Sequence, residues 1–185
     1  MENYNDTESY IKTHIERVRS RLRTVINLLD ERMIKHDRSK LKDPEFSLWK
    51  QMDSEPRYKY GTKEYDDKIQ RYKHLFELHY SNPNNRHHPE HFINGINDFT
   101  LIDLIEMVCD WTAYKDNMRI SEAIEMIEKQ TKRFGYSEEI RNVLTNTIVD
   151  IFTTLNANGE TEGKINKNSS SDSSNNDFRR VDLRV

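Results

Sequence analysis

At 185 residues the chain is long enough to bury one sizeable core and short for two independent domains. Only 34% of its residues are hydrophobic and 33% are charged, and 29 basic against 32 acidic residues leave a net charge of -3. That balance gives no global reason to expect nucleic-acid or membrane binding. The single cysteine, Cys109, excludes an intramolecular disulfide and a thiolate-rich zinc site, and fits a reducing compartment. The opening residues Met1–Asp6 have neither a basic region nor an apolar one, so no signal peptide is visible. No apolar run approaches the roughly 20 residues of a membrane span. The expectation is a soluble, cytoplasmic protein.

In chain order, the first element is an amphipathic helix from Glu8 to about Leu29. It is free of Pro and Gly, with Ile11, Ile15, Val18, Leu22, Val25, Ile26 and Leu29 at helical spacing. His36-Asp37-Arg38-Ser39-Lys40 follows, and Asp43-Pro44 predicts a helix start with Asp43 as N-cap. Residues 53–62 carry Pro56 and Gly61 and read as a loop or lid. A helix is predicted from Lys63 to His79, ended by Ser81-Asn82-Pro83-Asn84-Asn85. In Arg86-His87-His88-Pro89-Glu90-His91, Pro89 is placed to open a short helix. A strongly apolar helix is predicted from Leu101 to about Met118. Another runs from Ser121 to Phe134, stopped by Gly135, and a last one, capped by Ser137, reaches about Leu155. No strand-like alternation stands out. From Asn156 the composition turns to Asn, Ser, Gly, Asp and Lys, which predicts a disordered tail over 156–185 behind a single helical domain over 1–155.

Two features point to chemistry on the residues alone. Five of the seven histidines, His74, His79, His87, His88 and His91, fall within eighteen positions, and imidazole with carboxylate is the ordinary ligand set for divalent transition metals. The helix from Thr100 places Asp103, Glu106 and Asp110 on one face of an otherwise apolar segment, where a carboxylate is costly unless paired or bound to a cation. Thr100-Leu101-Ile102-Asp103 matches a capping box, which accounts for Asp103 as helix-start chemistry. Glu106 is expected to pair with an Arg or a His. Asp110 has no such role and is the expected ligand. His36 and Asp37 can turn toward the same cation, and Lys40 just beyond them can neutralise a bound phosphate. His87 and His88 precede the Pro89 turn and serve as ligands or, for one of them, as a substrate contact, with His91 behind them. Arg57, Lys59 and Lys63 can stabilise phosphate charge, and Trp49, Tyr58 and Tyr60 can stack on a base.

The order of these motifs resembles the HD superfamily of metal-dependent phosphohydrolases, most closely an uncharacterised HD-like family common in bacteriophage and bacterial genomes. His36-Asp37-Arg38-Ser39-Lys40 is similar to the superfamily's His-Asp-x-Gly-Lys form, with Ser39 where Gly is usual. The resemblance covers about residues 7–135. It implies an all-α, HD-like helical bundle holding one or two divalent metal ions (Mn, Fe, Zn, Ni or Mg). The implied activity is hydrolysis of phosphomonoesters or phosphodiesters, often of nucleotides or cyclic nucleotides. Carried over by position, His36, Asp37 and Asp110 match the metal core, and His79 with His88 (or His87) a second metal site. His14 matches the first His, and Lys40 the phosphate-neutralising Lys. His14 and His36 lie 22 residues apart, about 33 Å along a straight helix, so this placement of His14 requires a chain reversal between them. Asn27-Leu28-Leu29-Asp30 is the expected turn, ending the first helix between Val25 and Arg32. The alternative to an enzyme is a non-catalytic module on the same scaffold that sequesters a nucleotide or docks a partner. The expected partner is a small phosphorylated substrate, and the sequence leaves a homo-oligomer open.

Overall fold

A computed structural model describes residues 4–114 and 118–157, which form seven α-helices and three short 3-10 turns with no strand among them. The fold is all-α. The expected tail falls almost entirely outside the described residues.

Helix α1 runs unbroken from Tyr4 to Lys35. Nothing in its 32 residues interrupts the backbone ladder, and Asn27 and Asp30 continue it rather than cap it. The predicted reversal at 27–30 is therefore corrected: local turn propensity is small against helix propagation in a segment free of Gly and Pro. The chain turns only at Asp37, then makes a 3-10 turn over Arg38–Leu41. Helix α2 spans Glu45–Ser54; Pro44 rather than Asp43 holds the position before it, although Asp43 Oδ1 still accepts the Ser47 N–H at 3.2 Å.

The helix predicted over 63–79 is two, α3 (Lys63–Arg71) and α4 (Lys73–Ser81), separated by Tyr72 at φ -100°, ψ 15°. Tyr72 packs with Trp49, Met52, Leu75 and Phe76 into the first of two buried clusters, and its hydroxyl donates to Glu55 Oε1 at 2.9 Å. Two 3-10 turns, Pro89–His91 and Gly95–Asp98, lead into α5 (Leu101–Thr112). Thr100 and Asp103 form the expected capping box at its start. Helix α5 ends six residues earlier than its apolar pattern suggests; Thr112 Oγ1 donates back to the Val108 carbonyl at 2.8 Å, competing with continuation of the ladder.

Helices α6 (Ile120–Phe134) and α7 (Glu138–Ala157) form a hairpin through Gly135. That residue sits at φ 67°, a conformation that costs glycine little, and the following N–H closes on the Thr131 carbonyl at 3.1 Å. Leu104, Met107 and Val108 of α5 meet Ala123 and Ile127 of α6 and Leu144 and Ile148 of α7 in the second buried cluster. Helices α2 and α4, which carry the first cluster, also hold Glu45 and His79, and α5, which carries part of the second, also holds Glu106 and Asp110.

Ile127 is fully buried at the centre of the α5–α6–α7 cluster. Ile127→Ala is expected to lower stability by about 2–5 kcal/mol, read from urea unfolding followed by far-UV circular dichroism.

Candidate metal centre

Five stretches of chain converge on one point: the turn after α1, the start of α2, α4, the 85–88 segment, and α5. The turn contributes His36 and Asp37. Asp37 is the one non-glycine residue with positive φ (53°) among the described residues, in the left-handed region that Asp tolerates better than most residues. Strain of this kind persists where surrounding contacts fix it. The left-handed turn sets His36 Nε2 3.6 Å from Asp37 Oδ2.

Around Asp37 the imidazoles are oriented by carboxylates on their far sides. His36 Nδ1 lies 3.0 Å from Glu106 Oε1, which leaves Nε2 at 3.6 Å from Asp37 Oδ2 and 3.5 Å from Asp110 Oδ1. His79 Nδ1 lies 2.6 Å from Glu45 Oε1, leaving Nε2 at 3.3 Å from Asp37 Oδ1 and 2.9 Å from His88 Nε2. His87 Nδ1 is 3.1 Å from Glu106 Oε1, though off the line of a hydrogen bond, and its Nε2 is 3.7 Å from Asp37 Oδ1. A carboxylate on Nδ1 with Nε2 facing inward is the arrangement that orients histidine toward a cation and raises its basicity.

Two of the inward atoms have no hydrogen-bond partner at all: Asp37 Oδ1 and His87 Nε2, both buried. Buried polar atoms are rarely left so. Ligands bound at about 2.1 Å lie roughly 3.0–3.4 Å apart when adjacent; Asp37 Oδ1 is 3.3 Å from His79 Nε2, within that spacing, and 3.7 Å from His87 Nε2, just beyond it. Two overlapping groups have ligand atoms within 4.8 Å of one another: Asp37, His79, His87 and His88, and His36, Asp37, His87 and Asp110. Three imidazoles and one carboxylate suit zinc, iron, manganese or nickel. Asp37, with one oxygen toward each group, can bridge two cations, whereas the Nε2 of His87 can serve only one.

Charge is distributed unevenly. Burial, with His87 and His79 alongside, drives His88 well below its ordinary pKa; burial and the Lys40 charge also lower His79, outweighing the pull of Glu45 and Asp37. Both are therefore neutral lone-pair donors at neutral pH. Burial also opposes charge on His36, but hydrogen bonds to Asp110 and Glu106 and the Asp37 charge push it up to about 10. Burial would raise Glu106, yet its contacts with His36, His87 and Arg32 bring it down to about 2. Asp37 is held below its ordinary value against burial by Lys40, His79 and His36. The Lys40 ammonium sits 2.6 Å from Asp37 Oδ2 and 5.0 Å from the Trp49 ring centroid.

Of the residues picked out from sequence, His36, Asp37, His79, His88 and Asp110 come together, with Lys40 beside them and Glu106 behind them. His87, assigned in part to substrate, belongs with the ligands: it is completely buried and shared by both groups. His14 does not belong to the site. It is exposed on α1, about 33 Å along the axis from His36. His91 does not back a ligand; its Nδ1 lies 2.6 Å from the Tyr80 carbonyl and its ring meets the edge of Phe92. Arg57 and Lys59 are exposed on the 55–62 connection, and Lys63 begins α3. Trp49 is buried against Phe76 and cannot serve as an open stacking platform, while Tyr60 is exposed with its ring near Tyr65.

Residues 3–150 match a model for a family of unknown function (DUF5662). The chain belongs to that family. No curated protein and no solved structure matches it.

Sequence reasoning about this DUF5662 chain missed Glu45, Asn85, Arg32 and Arg86. Asn85 is fully buried and donates to the His79 carbonyl at 2.9 Å and to Ser39 Oγ at 3.1 Å. Arg32 forks onto Asp103 Oδ1 (2.7 Å) and Glu106 Oε2 (3.1 Å), and Arg86 Nε reaches Asp103 Oδ1 at 3.2 Å. A signal for Arg32 existed: the spacing that ends at Leu29 lands next on Arg32 and then His36.

Arg32→Leu leaves Glu106 buried without its guanidinium and is expected to cost on the order of 3 kcal/mol in unfolding free energy. With chelator present, stability is expected to peak near pH 6.5. His36 binds its proton more tightly folded than unfolded, so its contribution is full below 6.5 and lost as pH rises through about 10. His79 and His88 bind theirs less tightly folded, so stability also falls as pH drops below 6.5. Melting temperatures across this range check both limbs, and His36→Ala removes the alkaline one.

Proposed function

We propose that this chain is a metal-dependent phosphohydrolase of HD type, acting on a phosphomonoester or phosphodiester of a nucleotide or cyclic nucleotide. The observation that carries the reading is the pair of unpartnered buried atoms, Asp37 Oδ1 and His87 Nε2, set among imidazole nitrogens whose opposite sides face carboxylates. That donor set fits one divalent cation, or two bridged by Asp37. Such a cation supplies an acidified water at neutral pH and a Lewis acid for a phosphoryl oxygen.

The chain's own residues take complementary parts. Glu106 and Glu45 hold the imidazoles in the orientation that points Nε2 inward. Asp37 and Asp110 supply negative charge beside the His36 imidazole. Lys40 is partly exposed, and a shift of its ammonium from Asp37 Oδ2 to a phosphate oxygen would offset charge that grows on the phosphoryl group. Arg57, Lys59 and Tyr60, exposed on the 55–62 connection, are the nearest candidates in the sequence for holding the rest of a nucleotide. No described helix is long and apolar enough to cross a membrane.

A second reading has one observation of its own. The Lys40–Asp37 pair already balances the charge that a second cation would balance. The same scaffold then holds a nucleotide phosphate at Lys40 without turning it over.

Purified protein loaded in turn with manganese, iron, zinc, nickel or magnesium is expected to release phosphate from, or open, at least one member of a nucleotide and cyclic-nucleotide panel. Asp37→Ala is expected to abolish turnover and cut metal content, whereas Lys40→Ala lowers turnover with metal still bound. Tight nucleotide binding by metal-loaded protein with no turnover would replace the enzyme by the sequestering module.

A further inference from the structure

Residues 6–28 of α1 belong to neither buried cluster. Helix α1 meets α5 near its C-terminal end, where Leu29 and Arg32 are half-buried, while Ile11, Ile15, Val18, Leu22 and Val25 keep between 39 and 56% of their surface exposed. These residues are not scattered. With Leu29 they follow steps of four, three, four, three and four, a seven-residue repeat with Ile15, Leu22 and Leu29 at one core position and Ile11, Val18 and Val25 at the other. A surface helix packed on its own domain shows a wider stripe at 3.6-residue spacing; the seven-residue seam that holds from Ile11 to Val25, before Ile26 widens it, is the pattern of a helix that winds around another helix.

The flanks of the seam say what that other helix carries. Over the first two heptads Lys12 and Arg19, paired within the helix to Glu8 and Glu16, line one side and His14 and Arg21 the other; in the third the same two positions are the exposed Ile26 and Leu28. Between Lys12 and Arg23 there are five Lys or Arg against the single acid Glu16, in a chain whose overall charge is -3. A second copy of α1 is poorly suited to this face. In a parallel pair the flanking contacts set His14 against Arg19 of the other copy. In the antiparallel register that aligns Val18 with Leu22, Arg19 meets Arg19 and Arg21 meets Arg21. Neither arrangement pairs opposite charges, and such flanking charges set partner choice. A lipid surface would favour an apolar face that is broad along its whole length and anchored by Trp or Phe; this face broadens only at Ile26 and Leu28 and carries neither residue.

We propose that α1 from Ile11 to Leu29 is a docking surface for an amphipathic helix of another protein, one with an apolar seven-residue seam flanked by Asp or Glu. His14 belongs to this surface. The proposal does not depend on the metal centre.

The test uses the full chain and two synthetic three-heptad peptides with Leu at both core positions, one with Glu and the other with Lys at the flanking positions. Fluorescence anisotropy is expected to show the Glu peptide binding at least about tenfold more tightly than the Lys peptide, with the difference shrinking as salt rises. Val18→Glu with Leu22→Glu should abolish binding while circular dichroism and metal content stay unchanged. Arg19→Glu with Arg21→Glu, which preserves the seam, should reverse the preference between the peptides. The proposal is overturned if neither peptide binds, if both bind equally, or if the chain binds anionic phosphatidylserine vesicles in preference to the Glu peptide. It is also overturned if the protein alone sediments as a dimer or larger species that Val18→Glu with Leu22→Glu dissociates, since a second copy then occupies the face.

Discussion

Burying carboxylates on an apolar helix is the constraint from which the rest of the polar layer follows. Helix α5 cannot turn Met107 and Val108 into the core without also taking Asp103 and Glu106 out of water. An isolated carboxylate in that environment would have to neutralise or find partners. Asp103 finds Thr100, Arg32 and Arg86, and Glu106 finds Arg32, His36 and His87 nearby. Those partners come from the last turn of α1 and from the segment after α4. Satisfying two charges on one helix thus fixes where two other stretches of chain must lie.

The inward-facing site is the other side of that arrangement. Once Glu106 occupies Nδ1 of His36, the second nitrogen of that ring has only the centre of the molecule to face, and Glu45 has the same effect on His79. Ligand direction is therefore set by groups that are not ligands, and those groups are held by salt bridges and by two apolar clusters. The separate tuning of the imidazoles has the same origin. His36 is surrounded by three carboxylates and retains a proton, while His79 and His88 face each other and Lys40 and lose theirs. One half of the site is ready to donate lone pairs, and the other carries positive charge of its own beside Asp37 and Asp110.

What the sequence disclosed was local. The capping box at Thr100, the stop at Gly135 and the cap at Ser137 depend on residues within a few positions of one another, and each lies where residue chemistry placed it. Asp110 was legible because a carboxylate deep in an apolar helix lacks a local role. His36-Asp37 and the 85–88 segment were legible as residue types, but their convergence rests on contacts about 50 to 70 positions apart in sequence, which periodicity does not report. Glu45 illustrates the limit. It opens α2 like any first-turn acid, and only the fold brings His79 to it across 34 positions. The break at Tyr72 is similar, since no Gly or Pro marks it and tertiary contacts of the ring and hydroxyl decide it.

His14 is the instructive failure, because the physics that excludes it also identifies its replacement. A third imidazole near Asp37 must come from a segment that can reach the interior, and a residue midway along a continuous helix cannot be moved without breaking that helix. Breaking α1 near Asn27 would forfeit ladder hydrogen bonds on both sides in exchange for one ligand. The 85–88 segment carries no such cost: it lies between Pro83 and Pro89, outside any α-helix, and its backbone is free to present two successive histidines inward. His87 is accordingly the imidazole common to both ligand groups. Relieved of any part in the site, the front of α1 keeps its apolar seam and basic flanks exposed, while its last turn holds Glu106 through Arg32. One helix thus has two sections with different roles, and the change between them comes where the repeating core positions pass from Leu29 to Arg32 and His36.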